Sequence, residues 1–461
     1  MRGPAPARPA PALLDAVPAR LARRARALPT ALEAGVLHVR SQRGDDTDPA
    51  LDVLRVHVGA ADVDATRDPD VLRHLLAAYG QHTLPRVLDD PVELLDTLLD
   101  VAAGSDASDL HLDPTPDGMR VRQRIDGRLH EVVRVPAGTV AGLVARTKVR
   151  SGLDVADRRL PQDGRLEHEQ PGGVLGVRVA TMPTRWGERI TLRLLPDGAA
   201  AALDGLGLPD HVVAALRRAV GASDGLVVVC GPTGSGKTTT LHALIGSPAL
   251  AARNVMTLED PVERTLPGAA QTQVAPDHGL PFATGLRHLL RHDPDVLLVG
   301  EVRDRETARL AVEAAQTGHL VLTSLHAVDA PSALTRLHEL DVPPGLIAET
   351  LRLVVAQRLL AVPCPGCSPG SSPGSAPGAV PGAGGCAGCA GTGTRGRTAV
   401  AEALEPDGPL RTLLRDGRGP GAHHARLCAA VGPRLRDVAL SRAARGTVDP
   451  DDATRATPDP S

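Results

Sequence analysis

Lysine is almost absent from this chain. Of 51 basic residues in 461, only Lys148 and Lys237 are lysines, and the rest are arginines. Aromatic residues are nearly as scarce, with one each of Trp186, Tyr79 and Phe282. A protein that tracks single-stranded nucleic acid stacks bases on such rings, so this composition argues against that class. The formal net charge of −3 provides no global basic field to hold a polyanion. No run approaches the ~20 apolar residues that a membrane span needs. The first twenty residues are broken by prolines and Asp15 and hold no apolar signal core. The Arg/Ala/Leu stretch from Leu13 to Leu28 reads as the first helix of an N-terminal domain rather than a transit peptide. These absences predict a soluble cytoplasmic protein whose cores are built from Ala, Val and Leu.

Against that background the lysine at 237 stands in "CGPTGSGKTTTL", residues 230–241. Gly231, Gly236, Lys237 and Thr238 fit the spacing of a phosphate-binding loop. Glycines let successive backbone N–H groups close on anionic oxygens, and the following helix adds its positive N-terminal end. A compact ammonium sits between β- and γ-phosphates where a planar guanidinium fits poorly, and the Thr238 hydroxyl is placed for Mg²⁺. The apolar run Leu226–Val229 before the loop reads as a buried strand, and Thr239–Ile245 after it as a helix. Gly231, Pro232, Thr233, Gly234, Ser235, Gly236, Lys237, Thr238 and Thr239 are therefore the expected contacts to a nucleotide such as ATP.

The length predicts two to four domains. Residues 1–90 mix short helical patterns with a possible strand at 54–58, "LRVHV", and form a short N-terminal domain for docking a partner. Residues 91–200 alternate in the manner of sheets with one exposed face and form a smaller α+β domain. Residues 196–210 read as a linker. From 201 to 362, short apolar strands at 226–230, 255–258, 296–299 and 320–324 alternate with helices, which implies an α/β core around a mostly parallel sheet. Residues 363–390 carry a cysteine element with a low-complexity insert, 368–385, expected to be disordered. Residues 391–461 read as a C-terminal helical region with a polar tail after about 447.

Further segments make one pattern with the loop. "TLEDPVE" (257–263) puts Glu259, Asp260 and Glu263 after a strand. "LRHDPDVLLVGEVRD" (290–304) ends a strand at Gly300–Glu301, and "TGHLVLTSLHA" (317–327) brackets another with His319 and His326. "ASDLHLDP" (107–114) and "RRLPQDGR" (158–165) lie upstream. In this order the motifs resemble the type II secretion and type IV pilus assembly ATPases over roughly residues 90–450. The resemblance implies a RecA-like core preceded by a PAS-like α+β domain, a homohexamer and an inner-membrane platform protein as partner; charge and missing aromatics speak against a nucleic-acid partner. It implies that Glu301 polarises the attacking water, that Glu259, Asp260 and Glu263 organise Mg²⁺ and water, and that His319 and His326 sense the γ-phosphate. It also implies that Arg178 and Arg165, from the preceding domain, complete the site. In isolation a Glu after a strand is a solvated terminus and a His at a strand end a satisfied polar residue. Both readings yield if these strands end at one edge, where doubly wound sheets bind ligands.

Four of the six cysteines fall into two C-x-x-C pairs, Cys364/Cys367 and Cys386/Cys389, with zinc-ribbon spacing. Four thiolates make a closed tetrahedral Zn²⁺ site. Secretion and assembly members of the family carry such an element, whereas retraction motors generally lack it. Cys230 and Cys428 read as buried apolar fillers. The reading is an ATP hydrolase driving pilin or pseudopilin assembly or type II secretion at the inner face of the cytoplasmic membrane. Its rivals are a retraction motor of the same family, a nucleotide-binding regulator that does not hydrolyse, and a DNA translocase.

Overall fold

The computed structural model describes residues 9–42, 44–68, 71–170, 173–195, 202–367, 389, 393–416 and 419–458. The chain divides into two compact units, residues 1–197 with 364–393, and residues 198–363 with 394–461.

The first unit opens with two short helices, Pro11–Ala16 and Ala19–Ala25, in place of the one helix expected over Leu13–Leu28, because Pro18 interrupts it. A three-stranded sheet of β1 (Ala27–Glu33), β2 (Val36–Ser41) and β3 (Asp62–Arg67), in that order, follows. β1 and β2 are antiparallel, and β2 and β3 are parallel. The strand expected at 54–58 is instead the second half of a helix, Pro49–Val58, which crosses from β2 to β3. Asp48 caps that helix by accepting the Ala50 N–H, Pro49 occupies its first turn, and Gly59 ends it at φ 67°. Leu51 and Leu54, three apart, are buried while Val56 is 69% exposed. A strand would have put Leu54 and Val56 on one face; the helical period separates them.

A second sheet follows, wholly antiparallel, from β4 (Asp109–Thr115), β5 (Gly118–Ile125), β6 (Arg128–Pro136), β7 (Gln162–Gln170), β8 (Gly173–Thr184) and β9 (Gly187–Leu195). The order is β6-β5-β4-β9-β8-β7. Leu110, Leu112, Val121, Val179, Ile190 and Leu192 form its buried face, in one core with residues of the helices Pro91–Gly104 and Ala137–Arg150. On the opposite pleat Arg165, Arg178, Arg193 and Asp109 stand in register across four strands. Lys148 is fully buried in this unit, donating from Nζ to Glu188 Oε1 at 2.5 Å and to the Asp157 carbonyl at 2.6 Å. Burying an ammonium is tolerable only with such partners.

The second unit is built on β10 (Gly225–Cys230), β11 (Val255–Glu259), β12 (Ala269–Gln273), β13 (Val296–Val299), β14 (Leu320–Leu325), β15 (Leu351–Pro363) and β16 (Thr394–Leu404). The order is β12-β11-β13-β14-β10-β15-β16, parallel throughout except for the β15–β16 pair. Alternate residues of β10 enter opposite cores, Val228 and Cys230 on one side and Val227 and Val229 on the other. Both faces are covered, as uninterrupted apolar strands require.

Two further segments differ from the sequence expectation. Residues from 391 were read as helical, yet β16 returns as a strand antiparallel to β15, with Val400, Ala401 and Leu404 buried. Its polar and small residues, "TRGRTAVAEAL", disguised it. The stretch after 447 is no polar tail either, since Val448 is buried and the Pro450–Ala456 helix buries Ala453 against Leu360 and Val400. Of the expected linker, 196–201 lie outside the described residues, while Leu203 and Leu208 are buried in the core. The insert at 368–385 also lies outside them.

Candidate functional site

Four neighbouring strands of the second unit, β11, β13, β14 and β10, point their C-terminal ends the same way. Each hands over to a segment singled out in the sequence. β10 runs into the glycine loop, and the Lys237–Ile245 helix leaves it. Gly231 (φ 152°) and Gly236 (φ 87°) hold conformations that side chains rarely adopt. A Cβ at Gly231 would come within 2.5 Å of Ser235 Oγ and 2.6 Å of the Gln357 carbonyl. Lys237 Nζ donates to the carbonyls of Gly231 and Pro232, both at 3.0 Å. Burial pulls its pKa down, opposed by the nearby charge of Glu301. Ser235 Oγ is buried with no hydrogen-bond partner. An orphaned hydroxyl inside a turn rimmed by glycines is what a phosphate-binding cradle leaves exposed to its ligand. Thr238 and Thr239 are half-buried at the start of the helix, so the loop fits a nucleotide, and the Thr238 hydroxyl is a group that could hold Mg²⁺.

β13 ends at Val299, and the turn through Gly300 presents Glu301 beside the loop. Ser324 Oγ donates to the Gly300 carbonyl at 2.7 Å, and the Val302 N–H donates to the Ser324 carbonyl at 3.1 Å. These bonds fix the turn. Arg303 pairs with Glu301 Oε1 at 2.5 Å, and His326 Nε2 stands 3.7 Å from Oε2. Burial and the Lys237 charge lower the His326 pKa, against the pull of Glu301, which favours the neutral imidazole.

The histidines do not act as a pair. His326 follows β14 at the loop edge, but His319 precedes that strand. Seven residues at about 3.3 Å each put the two roughly 20 Å apart, at opposite edges of the sheet. His319 Nδ1 binds the Ala314 carbonyl at 3.0 Å, and its own carbonyl accepts the Gly225 N–H. The structure therefore separates His319 from the loop on which its expected γ-phosphate role depended.

The acidic segment also divides. Glu259 is buried, with Oε2 2.9 Å from His242 Nε2 and Oε1 accepting from Thr257 Oγ1 at 2.7 Å and Gln271 Nε2 at 3.0 Å. Burial would raise its pKa, but the bonds from His242, Gln271 and Thr257 outweigh that and hold it low. Its partners tie the helix after the loop to β11. Asp260 and Glu263 remain exposed beyond the end of the strand.

Gln357 on β15 escaped the sequence reading. It is 1% exposed, donates from Nε2 to the Ser235 carbonyl at 2.7 Å, and accepts at Oε1 from Thr240 Oγ1 at 2.9 Å. One side chain thus grips both the loop and the helix leaving it. The available signal was a Gln-Arg pair inside the apolar run "LVVAQRLLAV". Gln357→Leu leaves a buried hydroxyl and a buried carbonyl unpartnered, about 1–3 kcal/mol for each group. We expect kcat/KM for ATP to fall by about ten- to a hundredfold. Steady-state kinetics checks this, and a value within twofold of wild type would show that the loop holds its shape unaided.

Arg165 and Arg178 lie on β7 and β8 of the first unit, directly opposite one another. Three of the four paired cysteines gather. Cys364, Cys367 and Cys389 place their sulfurs within 4.8 Å of one another, with Cys367 and Cys389 Sγ 3.6 Å apart. The Gly393 N–H donates to Cys389 Sγ at 3.2 Å. Cys386 lies outside the described residues. Three sulfurs at this separation can hold a metal ion. Cys230 is fully buried, and burial pushes its thiol pKa up, as expected of a filler. Cys428 is not: it is half-buried beside His424. No helix among the described residues is long and apolar enough to cross a membrane.

A model of the Type II/IV secretion system protein family matches residues 88–455. The chain is 39% identical over 399 residues to the Type II secretion system protein HxcR of Pseudomonas aeruginosa, spanning 80% of this chain and 84% of that protein. It is 38% identical over 378 residues to the Type II secretion system ATPase E of Vibrio cholerae, spanning 79% and 75%. Among solved structures, the ATPase DotB of Legionella pneumophila superposes with a TM-score of 0.60 at 25% identity, covering 79% of this chain and 95% of that one.

Proposed function

Because the chain belongs to the type II/IV secretion system proteins, a family of ATPases, we propose that it is a hexameric motor hydrolysing ATP to build type IV pilin or pseudopilin filaments, or to drive type II secretion. The observation that carries this reading is the common edge of β10, β13 and β14, which sets Lys237, Glu301 and His326 around one glycine loop. Backbone N–H groups of residues 233–238 and the Lys237 ammonium bind the β- and γ-phosphates. Thr238 would hold Mg²⁺, which supplies neutralisation of phosphate charge. Glu301 orients a water and accepts its proton, and the neutral imidazole of His326 sits where the γ-phosphate can be sensed. The motor works in the cytoplasm against a membrane platform protein. ATP turnover by the purified chain, with its mass in solution showing six copies, is the primary test. No turnover with nucleotide bound would favour the non-hydrolysing regulator.

Charge spreading over the γ-phosphoryl oxygens calls for a guanidinium, and the family resemblance assigns Arg178 first and Arg165 second. Arg178→Lys keeps the charge without the paired donor geometry, so turnover should drop about tenfold, equivalent to ~1.4 kcal/mol, with analogue binding unchanged. Wild-type turnover in Arg178→Ala would remove Arg178 from the mechanism.

The cysteine cluster is proposed as a structural Zn²⁺ site completed by Cys386, and it favours assembly over retraction. Cys364→Ser/Cys367→Ser should release this zinc, read by elemental analysis, and render residues 360–400 more sensitive to protease. Unchanged protease sensitivity and zinc content would show that the pairs are not ligands.

A further inference from the structure

A second set of metal-ligating side chains lies in the other unit, far along the chain from the paired cysteines. Asp329 caps the Ala330–Glu339 helix, and His424 and Cys428 lie on the His424–Ala430 helix. The carboxylate, imidazole and thiol of these three residues fall within 4.8 Å of one another. His424 and Cys428 are four residues apart and so share one helical face. Their Nε2 and Sγ atoms are 3.5 Å apart. In a tetrahedral site with Zn–S about 2.3 Å and Zn–N about 2.0 Å, the N···S edge is also roughly 3.5 Å.

We infer that Asp329, His424 and Cys428 form a further metal site, for zinc or another thiophilic divalent cation, with a fourth position open to water. The donor set is chemically suited: one thiolate, one imidazole and one carboxylate are ligands that zinc accepts together. Asp329 is already held in place. Its Oδ1 accepts from the Ser332 N–H at 2.8 Å, and its Oδ2 pairs with Arg434 at 2.9 Å. A carboxylate offers about four acceptor positions, so Asp329 keeps room for an ion, which would replace the bond that Arg434 makes to the Cys428 sulfur. Arg434 is fixed in turn by the buried Glu402, from Nε at 3.1 Å, an outer support of the kind that metal ligands use. His424 is exposed, which gives the ion a way in. An ion here would tie the His424–Ala430 helix to the turn leaving β14, three residues after His326.

The test uses the full chain carrying Cys364→Ser/Cys367→Ser, stripped of metal and titrated with Co²⁺ as a spectroscopic stand-in for zinc. We expect about one Co²⁺ per chain at this site, with a thiolate-to-cobalt charge-transfer band and tetrahedral d–d absorption. Adding Cys428→Ser should abolish the charge-transfer band, and adding His424→Ala should abolish tetrahedral binding. Absence of the band in the double variant, or its persistence after Cys428→Ser, overturns the assignment and leaves an ordinary thiol–imidazole hydrogen bond. Should the double variant fail to fold, zinc content decides: Cys428→Ser in the otherwise wild-type chain should carry one zinc fewer, and an unchanged content rejects the site. Neither readout depends on ATP turnover, so the result stands apart from the proposed motor function.

Discussion

Lys237→Ala should abolish measurable ATP turnover and weaken nucleotide binding while the protein stays folded. The ammonium lies against the Gly231 and Pro232 carbonyls at 3.0 Å, poised to leave them for a phosphate that is a stronger acceptor. Losing one charged donor at developing negative charge lowers turnover by roughly 10²–10³ or more. Ground-state affinity falls as well, because the same contact exists before reaction. The loop is at the surface, with Pro232, Thr233 and Gly234 exposed. Water can therefore satisfy the two carbonyls, and the melting temperature should move by no more than about 2 °C, as expected for a surface change within about 0.5 kcal/mol. Turnover, equilibrium binding of a non-hydrolysable analogue and a thermal melt check the three parts. Wild-type turnover in a stable variant would sink the phosphate-loop assignment.

Glu301→Gln should separate binding from chemistry. The amide matches the carboxylate in shape and can still meet Arg303 and His326, while Ser324 continues to hold the turn through the Gly300 carbonyl. What disappears is the negative charge and the proton acceptor. General-base assistance contributes roughly 10²–10⁴ in rate, so turnover should fall by that order with ATP affinity within about threefold of wild type. If affinity collapsed together with rate, Glu301 would be a structural residue of the turn. If neither changed, another group would activate the water.

What could be read in the sequence was what repeats locally. Apolar runs such as "LVVV" and "VLLV" marked β10 and β13 because a strand buried on both faces has no polar period to hide it. The glycine loop was legible because backbone closeness to phosphate leaves a fixed glycine spacing. Glu301 and His326 were legible because they follow such runs. His319 was misplaced for a geometric reason: a residue before a parallel strand and a residue after it belong to opposite edges of the sheet. "LRVHV" was misread because a short β-branched stretch satisfies a two-residue period, while its Asp48-Pro49 start and Gly59 stop declare a helix. β16 escaped because an antiparallel edge strand of Thr, Arg, Ala and Glu shows little apolar period. Gln357 and the His242–Glu259 pair were out of reach, since their partners lie 122 and 17 residues away and only the fold brings them together.

The near-absence of lysine makes this protein unusual toward amine-directed reagents. Lys148 is sealed inside the first unit with no exposed surface, whereas Lys237 is half-exposed and its desolvated amine loses a proton more readily than an ordinary lysine. An acylating label therefore meets one reactive side-chain amine, at the centre of the nucleotide loop. Phosphates bound there would cover it, so the modified fraction of a single peptide would count the vacant sites in the proposed hexamer. The same property blinds lysine cross-linking to subunit contacts: a sparse cross-link map of this protein would reflect its chemistry, not a lack of neighbours.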